Sequence, residues 1–451
     1  MKTLQSLLIA VITVLLIGCG STREQTQSTE TTPQQKQETA TITEFEVDGL
    51  KVIMKRTPGN PVVAAGFYLD GGTRYEPMEL AGIERFMFQT SLHGTDSLSK
   101  DALNAALESM GTNIYAEPTY DYNGLTLTSL QRNFDKSWDL YTEVLVHPTF
   151  PPDELTLMKQ QLVNSIKREK DDPDSYLQRV SNEFYYAGHP YAVSLSGTLE
   201  SVELFTQERL TGYHEANVVK SRGLLVFVGD IPESKVRGKA AQLAAALPAG
   251  PGEYTVQSDK DFNAGSADLK IVSRDLPTNY IRGLCEAPRI GSSEYPAFFA
   301  AIRILDDKLF EEIRTKRNLS YAPASGISSR ANNYAALYVT TVAPDTTVKV
   351  MFETIDNMIS TPLTEKELLD MITQTITREL MSQESAEVQR SKLARFELVG
   401  GGTGYSEQFI EQLKQVKPAD VQNVLKQYAH NWHFAVIGDS TQVDPELFTS
   451  R

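Results

Sequence analysis

One short motif occurs twice in this chain, as LVFVGD at residues 225–230 and as FAVIGD at residues 434–439. A second pair of similar segments lies upstream of the two copies, PTFPPDELTLM at 148–158 and PLTEKELLDM at 362–371. In each of these segments a proline-containing loop leads into a helical run with Leu-x-x-Met. Internal similarity of this kind indicates a duplicated unit of about 200 residues.

The pattern of apolar residues predicts the same mixture of strands and helices in both halves. In the first half, Asp48-Gly49 is a hairpin signal between two strands, and Ser99 is placed to cap a helix. The other predicted elements of the first half are strands at 62–69, 112–116 and 124–130, a helix that ends at His147 and a helix at 153–168. The second half repeats this plan, with strands around Leu269, Tyr280, Ala322 and Ala335 and helices around Phe299, Phe352, Leu368 and Val421. The predicted fold class is α+β: two homologous halves, each an antiparallel-rich sheet with helices on one face, which together form a clam-shell.

The N-terminus predicts export and lipidation. Lys2 precedes an apolar run at 7–17 that is too short to span a bilayer of about 30 Å, so residues 1–18 are predicted to be a signal peptide. The ending Leu-Ile-Gly-Cys resembles the lipobox of bacterial lipoproteins, which implies a lipid on Cys19; the alternative is an ordinary cleaved signal with a chance cysteine. Gly20 stands where an aspartate would retain a lipoprotein in the inner membrane. We therefore expect a lipid-anchored protein that faces the periplasm, with an outer-membrane anchor favoured.

Composition sets the remaining boundaries. Residues 19–41 are almost all polar and predict a disordered tether, followed by a first half at 42–246, a linker at 247–266 and a second half at 267–445. Cys285 is the one cysteine left after the signal peptide, so we expect no intrachain disulfide and a small core residue in a strand. The net charge of −15 without a stripe of Lys and Arg argues against nucleic acid as a partner.

The segment AGIERFMFQTSLHGT at 81–95 resembles the active-site helix of the pitrilysin/insulinase family of zinc peptidases. In that family the segment runs Ala-Gly-x-x-His-x-x-Glu-His and ends in Gly-Thr. Further matches are PTFP at 148–151, DDP at 171–173, HPY at 189–191 with Gly197-Thr198, and Gly229-Asp230. The resemblance covers the chain from about Ile42 to Asp439, and it implies a peptidase fold.

The same resemblance implies that the zinc site is lost. Two histidines at i and i+4 put both imidazoles on one helical face, with the intervening glutamate as general base. The positions that match these three residues are Gln89 and Arg85 for the histidines and Phe88 for the glutamate. The third ligand falls at Ser165 and a helper glutamate at Met158, so we expect neither a metal ion nor a catalytic residue in this chain.

A relocated metal site is also disfavoured. Glu84 and His93 are the remaining ligand types on the segment, and nine residues at 100° each place them on opposite faces of a helix. The alternative to a functional role for Arg85 and Gln89 is a purely structural one, in which they form a solvated or salt-bridged helix face with Glu84 as the partner of Arg85.

A second part of the family's machinery is matched by LFEEIRTKRNLSY at 309–321. In these enzymes an Arg, followed seven residues later by a Tyr, reaches across the cavity to the substrate, and Arg314 and Tyr321 have that spacing. A helix that ends near Asn318 would present Arg314 in its last turns and Tyr321 at the start of the next strand. Both side chains are donors that can hold a carbonyl or stabilise an oxyanion. The alternative is that Arg314 pairs with an acidic neighbour and Tyr321 is a core aromatic.

The resemblance implies a non-catalytic, substrate-binding subunit of a heterodimeric periplasmic zinc metallopeptidase that acts on peptides. Its partner would be a homologous subunit that carries the zinc motif and the zinc ion. The alternative is a stand-alone peptide-binding or envelope-assembly lipoprotein without chemistry, and the missing ligands disfavour a self-sufficient peptidase. Where active members show Asn-Ala on the strand that pairs with substrate, this chain has Tyr115-Ala116.

Overall fold

The computed structural model describes residues 40–251 and 262–451. These described residues belong to one compact unit, which contains both halves. The predicted signal peptide, Cys19, almost all of the tether and the middle of the linker lie outside the described residues. Within the described ranges, no helix is both long enough and apolar enough to cross a membrane.

The first half is built on a six-stranded sheet. Its strands are β1 (Thr41–Val47), β2 (Leu50–Arg56), β3 (Val62–Asp70), β4 (Asn113–Pro118), β5 (Tyr122–Leu130) and β6 (Gly223–Gly229). They lie in the order β1-β2-β6-β3-β5-β4, and only the β2–β6 pair is parallel. The predicted hairpin is confirmed, because Asp48 and Gly49 both have positive φ (48° and 81°), as a tight two-residue turn requires.

The second half repeats this arrangement with five strands. They are β7 (Asp268–Ser273), β8 (Asn279–Glu286), β9 (Ala324–Ile327), β10 (Tyr334–Thr341) and β11 (His433–Gly438). Their order is β7-β11-β8-β10-β9, and only the β7–β11 pair is parallel. The two copies of the repeated motif, in β6 and β11, therefore hold equivalent places in the two sheets, which confirms two halves on one plan.

Helices cover both sheets. Those of the first half are α1 (Ile83–Thr90), α2 (Lys100–Met110), α3 (Phe134–Val146), α4 (Pro152–Glu169), α5 (Pro173–Tyr185), α6 (Leu199–Glu203), α7 (Gln207–Asn217) and α8 (Glu233–Ala246). Those of the second half are α9 (Tyr295–Leu309), α10 (Pro344–Ser360), α11 (Glu365–Ser382), α12 (Ala386–Val399), α13 (Tyr405–Gln415), α14 (Pro418–Tyr428) and α15 (Pro445–Phe448). Ser99 caps α2 as predicted, since its side chain accepts a hydrogen bond from the N–H of Ala102.

Each half has its main core between the sheet and its own helices. In the first half, Trp138 of α3 packs on Phe227 of β6 with ring centroids 5.1 Å apart. In the second half, Phe352 of α10 packs against Phe434 of β11 at 5.9 Å. Cys285 is fully buried in this second core, as predicted.

The opposite face of each sheet is covered by a helix from the other half, which the sequence did not indicate. Leu177 and Val180 of α5 pack on Ala435 and Ile437 of β11. In the reverse direction, α12 packs on the outer face of β3 and β6, where Tyr68, Val226 and Val228 lie. Because alternate residues of a strand face opposite sides, β6 and β11 are buried on both faces. The two halves thus exchange helices: α5 of the first half covers the second sheet, and α12 of the second half covers the first sheet.

Candidate functional site

Helix α1 carries the positions that match two zinc ligands and the general base, and their side chains do not fit a zinc site. Phe88 points into the core and is 2% exposed. Arg85 is partly buried and donates a hydrogen bond from its guanidinium to the hydroxyl of Ser196. Burial lowers the pKa of this guanidinium, which nevertheless stays charged at any physiological pH. A cation therefore stands at one ligand position, and the partly exposed amide of Gln89 stands at the other.

Ser165 lies on α4, away from the core. It lines a polar cavity of about 370 Å³ together with Ser196, the hydrogen-bond partner of Arg85. The structure therefore brings Arg85 and Ser165 to one region of the first half, while Phe88 faces elsewhere. Across residues 40–251 and 262–451, no group of three or more His, Cys, Asp or Glu side chains could hold a metal ion.

Glu84 does not pair with Arg85, so that interpretation of the helix face was wrong. Its carboxylate is fully buried and forms an ion pair with the fully buried Arg222. Asn123 and Tyr213 donate further hydrogen bonds to it, at 2.8 and 3.1 Å. These partners neutralise the charge of the carboxylate and occupy its hydrogen-bond acceptor sites. Glu84 therefore fixes α1 to the residues around it and is not available as a metal ligand.

Glu76 anchors the start of α1 and should make stability depend on pH. Its carboxyl accepts hydrogen bonds from the N–H groups of Gly82 and Glu84, at 2.8 and 3.0 Å. Burial, with a contribution from the Glu84 carboxylate, nevertheless raises the pKa of Glu76 from 4.5 to about 8. Between these values the folded state keeps a proton that the unfolded state has released, so stability is fully present below pH 4.5 and falls as pH rises toward 8.

We expect the free energy of unfolding to fall by up to about 1.4 kcal/mol per pH unit from this group alone. Urea unfolding at about pH 5, 6, 7 and 8 measures it, and Glu76→Gln should flatten the slope because an amide does not titrate. Glu79→Gln, at an exposed position three residues on, is the matched control and should leave the slope unchanged. Equal slopes in the two variants would contradict this role of Glu76.

Arg314 and Tyr321 lie together. The guanidinium carbon of Arg314 is 4.0 Å from the ring centroid of Tyr321 and 4.7 Å from that of Phe310. Tyr321 is 78% exposed, so it is not a core aromatic. Arg314 sits in a single π-helical turn at Phe310–Thr315, and the chain leaves that turn through Asn318 in the left-handed conformation (φ 52°), as predicted.

The acidic neighbours of Arg314 are paired with other cations. Glu312 binds Lys316 and Arg317 at 2.7 and 2.5 Å, and Glu311 binds Lys316 at 2.9 Å. Among the described residues no carboxylate lies within ion-pair distance of Arg314. The alternative in which Arg314 pairs with an acidic neighbour is therefore wrong.

The pair lines a cavity of about 270 Å³ in the second half, at the exit from the π-helical turn. The side chains at the lost zinc positions, including Arg85 and Ser165, do not line it. Tyr321 lies in the loop before β9 and not at the start of that strand, which begins three residues later at Ala324. The structure thus joins Arg314 to Tyr321 but does not join this pair to the first-half cavity.

Comparison with known proteins places this geometry in a family. A family model described as "Insulinase (Peptidase family M16)" matches residues 51–199, and a second, "Peptidase M16 inactive domain", matches residues 204–375. The chain belongs to peptidase family M16. Together the two matches cover both the α1 segment and the Arg314–Tyr321 pair.

Individual relatives and solved structures match over most of the chain. The "Uncharacterized zinc protease YmxG" of Bacillus subtilis is 22% identical over 414 residues, which cover 87% of this chain and 97% of that protein. A solved structure of a peptidase M16 inactive domain from Pseudomonas fluorescens superposes with a TM-score of 0.81 at 20% identity, over 88% of this chain and 98% of that one. The periplasmic protease PqqL from Escherichia coli gives 0.75 at 15% identity, over 93% of this chain and 48% of its own.

Arg390 is a residue of this M16 chain that the sequence analysis missed. It is fully buried on α12 and donates hydrogen bonds at 2.9 Å to Tyr68, Tyr115 and Glu117. Tyr115, on the edge strand β4, is thereby tied to the second half. A signal was present, because Arg390 occupies the i+4 position of the buried stripe that starts at Ala386, where an apolar residue is expected.

Proposed function

We propose that this chain is the non-catalytic, substrate-binding subunit of a heterodimeric zinc metallopeptidase that acts on peptides. The observation that carries the proposal is the contact between the half-buried Arg314 and the exposed Tyr321, in a chain whose α1 helix lacks the zinc ligands. The guanidinium carbon lies 4.0 Å from the ring centroid, and among the described residues no carboxylate is within ion-pair distance of it. The zinc ion and its ligands would come from a homologous partner. Membership of family M16 supports the choice of a peptide substrate.

The chemistry of the pair suits the carbonyl group of a bound peptide. A guanidinium and a phenol offer several N–H and O–H donors and no competing anion. In water such donors bind a carbonyl weakly, but exclusion of water by a docked partner strengthens each hydrogen bond. Tyr321, which is 78% exposed here, would gain most from such burial.

The proposed location is the periplasmic face of the bacterial envelope, with a lipid on Cys19 as the anchor and the outer membrane favoured. The sequence of the first 20 residues supports export, and the solved neighbour PqqL is itself described as periplasmic. A tether at 19–41 would let the folded body meet a partner and substrate away from the membrane surface.

Reconstitution tests the proposal. The chain from residue 42 onward, purified alone and mixed with the zinc-motif homologue of the same organism, is assayed on a quenched fluorescent peptide library with and without a zinc chelator. We expect cleavage in the mixture only, abolished by the chelator, with a one-to-one complex by size-exclusion chromatography. Peptide binding without a complex or cleavage would instead identify a stand-alone binding protein, and chelator-sensitive cleavage by this chain alone would refute the loss of the metal site.

A further inference from the structure

A second cavity lies in the second half, away from both sites described above. Its volume is about 570 Å³, within the range of small-molecule sites. One wall is the aromatic cluster of Tyr295, Phe299, Phe396, Tyr405 and Phe409, in which Phe299 meets Phe409 edge-on at 5.2 Å. The wall is aromatic and is provided by three helices, α9, α12 and α13.

Three arginines also line this cavity. Arg303 comes from α9, Arg395 from α12, and the exposed Arg378 from α11 stands at the rim. Among the described residues, none of the three has a carboxylate within ion-pair distance. The Nε–H of Arg395 is also buried without any hydrogen-bond partner in the described part of the chain.

The acidic residue of the cavity does not neutralise these arginines. Glu379 is bound by Lys392 at 2.6 Å and by the hydroxyl of Ser406 at 3.0 Å, so that pair carries no net charge. The chain has 58 acidic residues against 43 Lys and Arg. The three arginines therefore lack carboxylate partners in a chain in which carboxylates outnumber cations. A guanidinium that is partly shielded from water, such as that of Arg395 with its unpartnered Nε–H, is stabilised when an anion binds it.

We propose that this cavity binds a small organic anion, a carboxylate or phosphate carried on an apolar body. The apolar body would lie on the aromatic wall. The carboxylate or phosphate would accept paired N–H hydrogen bonds from the guanidinium groups of Arg303 and Arg395, and the exposed Arg378 would add a third cation. A long-chain fatty acid and an aromatic acid share this chemistry. Nothing in this site involves Arg314 or Tyr321, so it stands apart from the proposed peptidase function.

Fluorescence titration of the folded chain with anilinonaphthalene sulfonate, an anionic aromatic probe, tests the site. We expect saturable binding that oleate or naphthoate displaces, whereas oleyl alcohol and naphthalene methanol, which have the same bodies without the charge, do not. Displacement by oleate alone assigns a lipid-derived ligand, and displacement by naphthoate alone assigns an aromatic acid. Arg303→Gln and Arg395→Gln should each weaken probe binding by about tenfold, the effect of one lost charged hydrogen bond.

Arg209→Gln is the matched control, because Arg209 is an exposed arginine of the first half. Its affinity for the probe should equal that of the parent chain. If Arg395→Gln unfolds the chain, as judged by circular dichroism, the exposed Arg378→Gln carries the test. The proposal would be overturned if the acids and the corresponding alcohols displaced the probe equally well, or if the arginine variants bound the probe as tightly as the parent chain. Displacement only by an acidic peptide would also overturn it.

Discussion

Replacing Arg314 by alanine is expected to reduce peptide cleavage by the mixed complex by about 10²- to 10³-fold in kcat, the usual cost of losing one donor to a developing oxyanion. The guanidinium has no carboxylate partner among the described residues and lies against the rings of Phe310 and Tyr321. Its removal should therefore leave the fold intact and change the chemistry alone. Steady-state kinetics of the complex, with kcat and KM determined separately, measures the effect.

Tyr321→Phe removes one hydroxyl and keeps the ring against Arg314, so a smaller loss of kcat is expected. Arg317→Ala is the matched control, because Arg317 is an exposed arginine three residues away that pairs with Glu312. It should cleave as the parent complex does. If Arg314→Ala weakened complex formation without changing kcat at saturating subunit, the pair would belong to the subunit interface and not to substrate binding.

Replacing Arg390 by methionine is expected to lower the free energy of unfolding by about 3–5 kcal/mol. The change removes hydrogen bonds to Tyr68 and Tyr115 and leaves the carboxylate of Glu117, whose side chain is 19% exposed, without its cation. Urea unfolding followed by circular dichroism and by tryptophan fluorescence measures the loss.

The double variant Arg390→Met with Glu117→Gln should recover part of this loss, since the stranded charge is removed as well. Lys366→Met is the control, because Lys366 is 83% exposed in its ion pair with Asp370 and such pairs contribute about 0–1 kcal/mol. A loss of similar size in Lys366→Met, or none in Arg390→Met, would contradict the role assigned to Arg390.

The sequence predicted the features of the fold that depend on neighbouring residues. The motifs of β6 and β11 are continuous apolar runs, which is typical of strands buried on both faces, and the Asp48-Gly49 turn is encoded by two adjacent residues. The exchange of α5 and α12 could not be found in this way. An amphipathic stripe shows that a helix face is buried but not which sheet covers it, and Arg390 lies 273 residues from Glu117.

The candidate site shows the same division. Asn318 and its left-handed turn followed from residue type, and the turn brings Tyr321 onto Arg314. The pairing of Glu84 with Arg85 failed because adjacent residues on a helix do not face each other, so Glu84 points inward to Arg222. The strand predicted near Ala322 begins later because Pro323 cannot donate to a ladder.

The exchange of helices also governs the order in which a chain made from its N-terminus can become native. The last strand of the first sheet, β6, is finished long before α12 has been synthesised. Among the described residues, the side chains that cover the outer face of that sheet, where Tyr68, Val226 and Val228 lie, come from α12. A growing or truncated chain that stops short of α12 would present this apolar surface to chaperones, proteases or other nascent copies. The first half therefore reaches its native packing only after α12 of the second half has been synthesised and has packed on it.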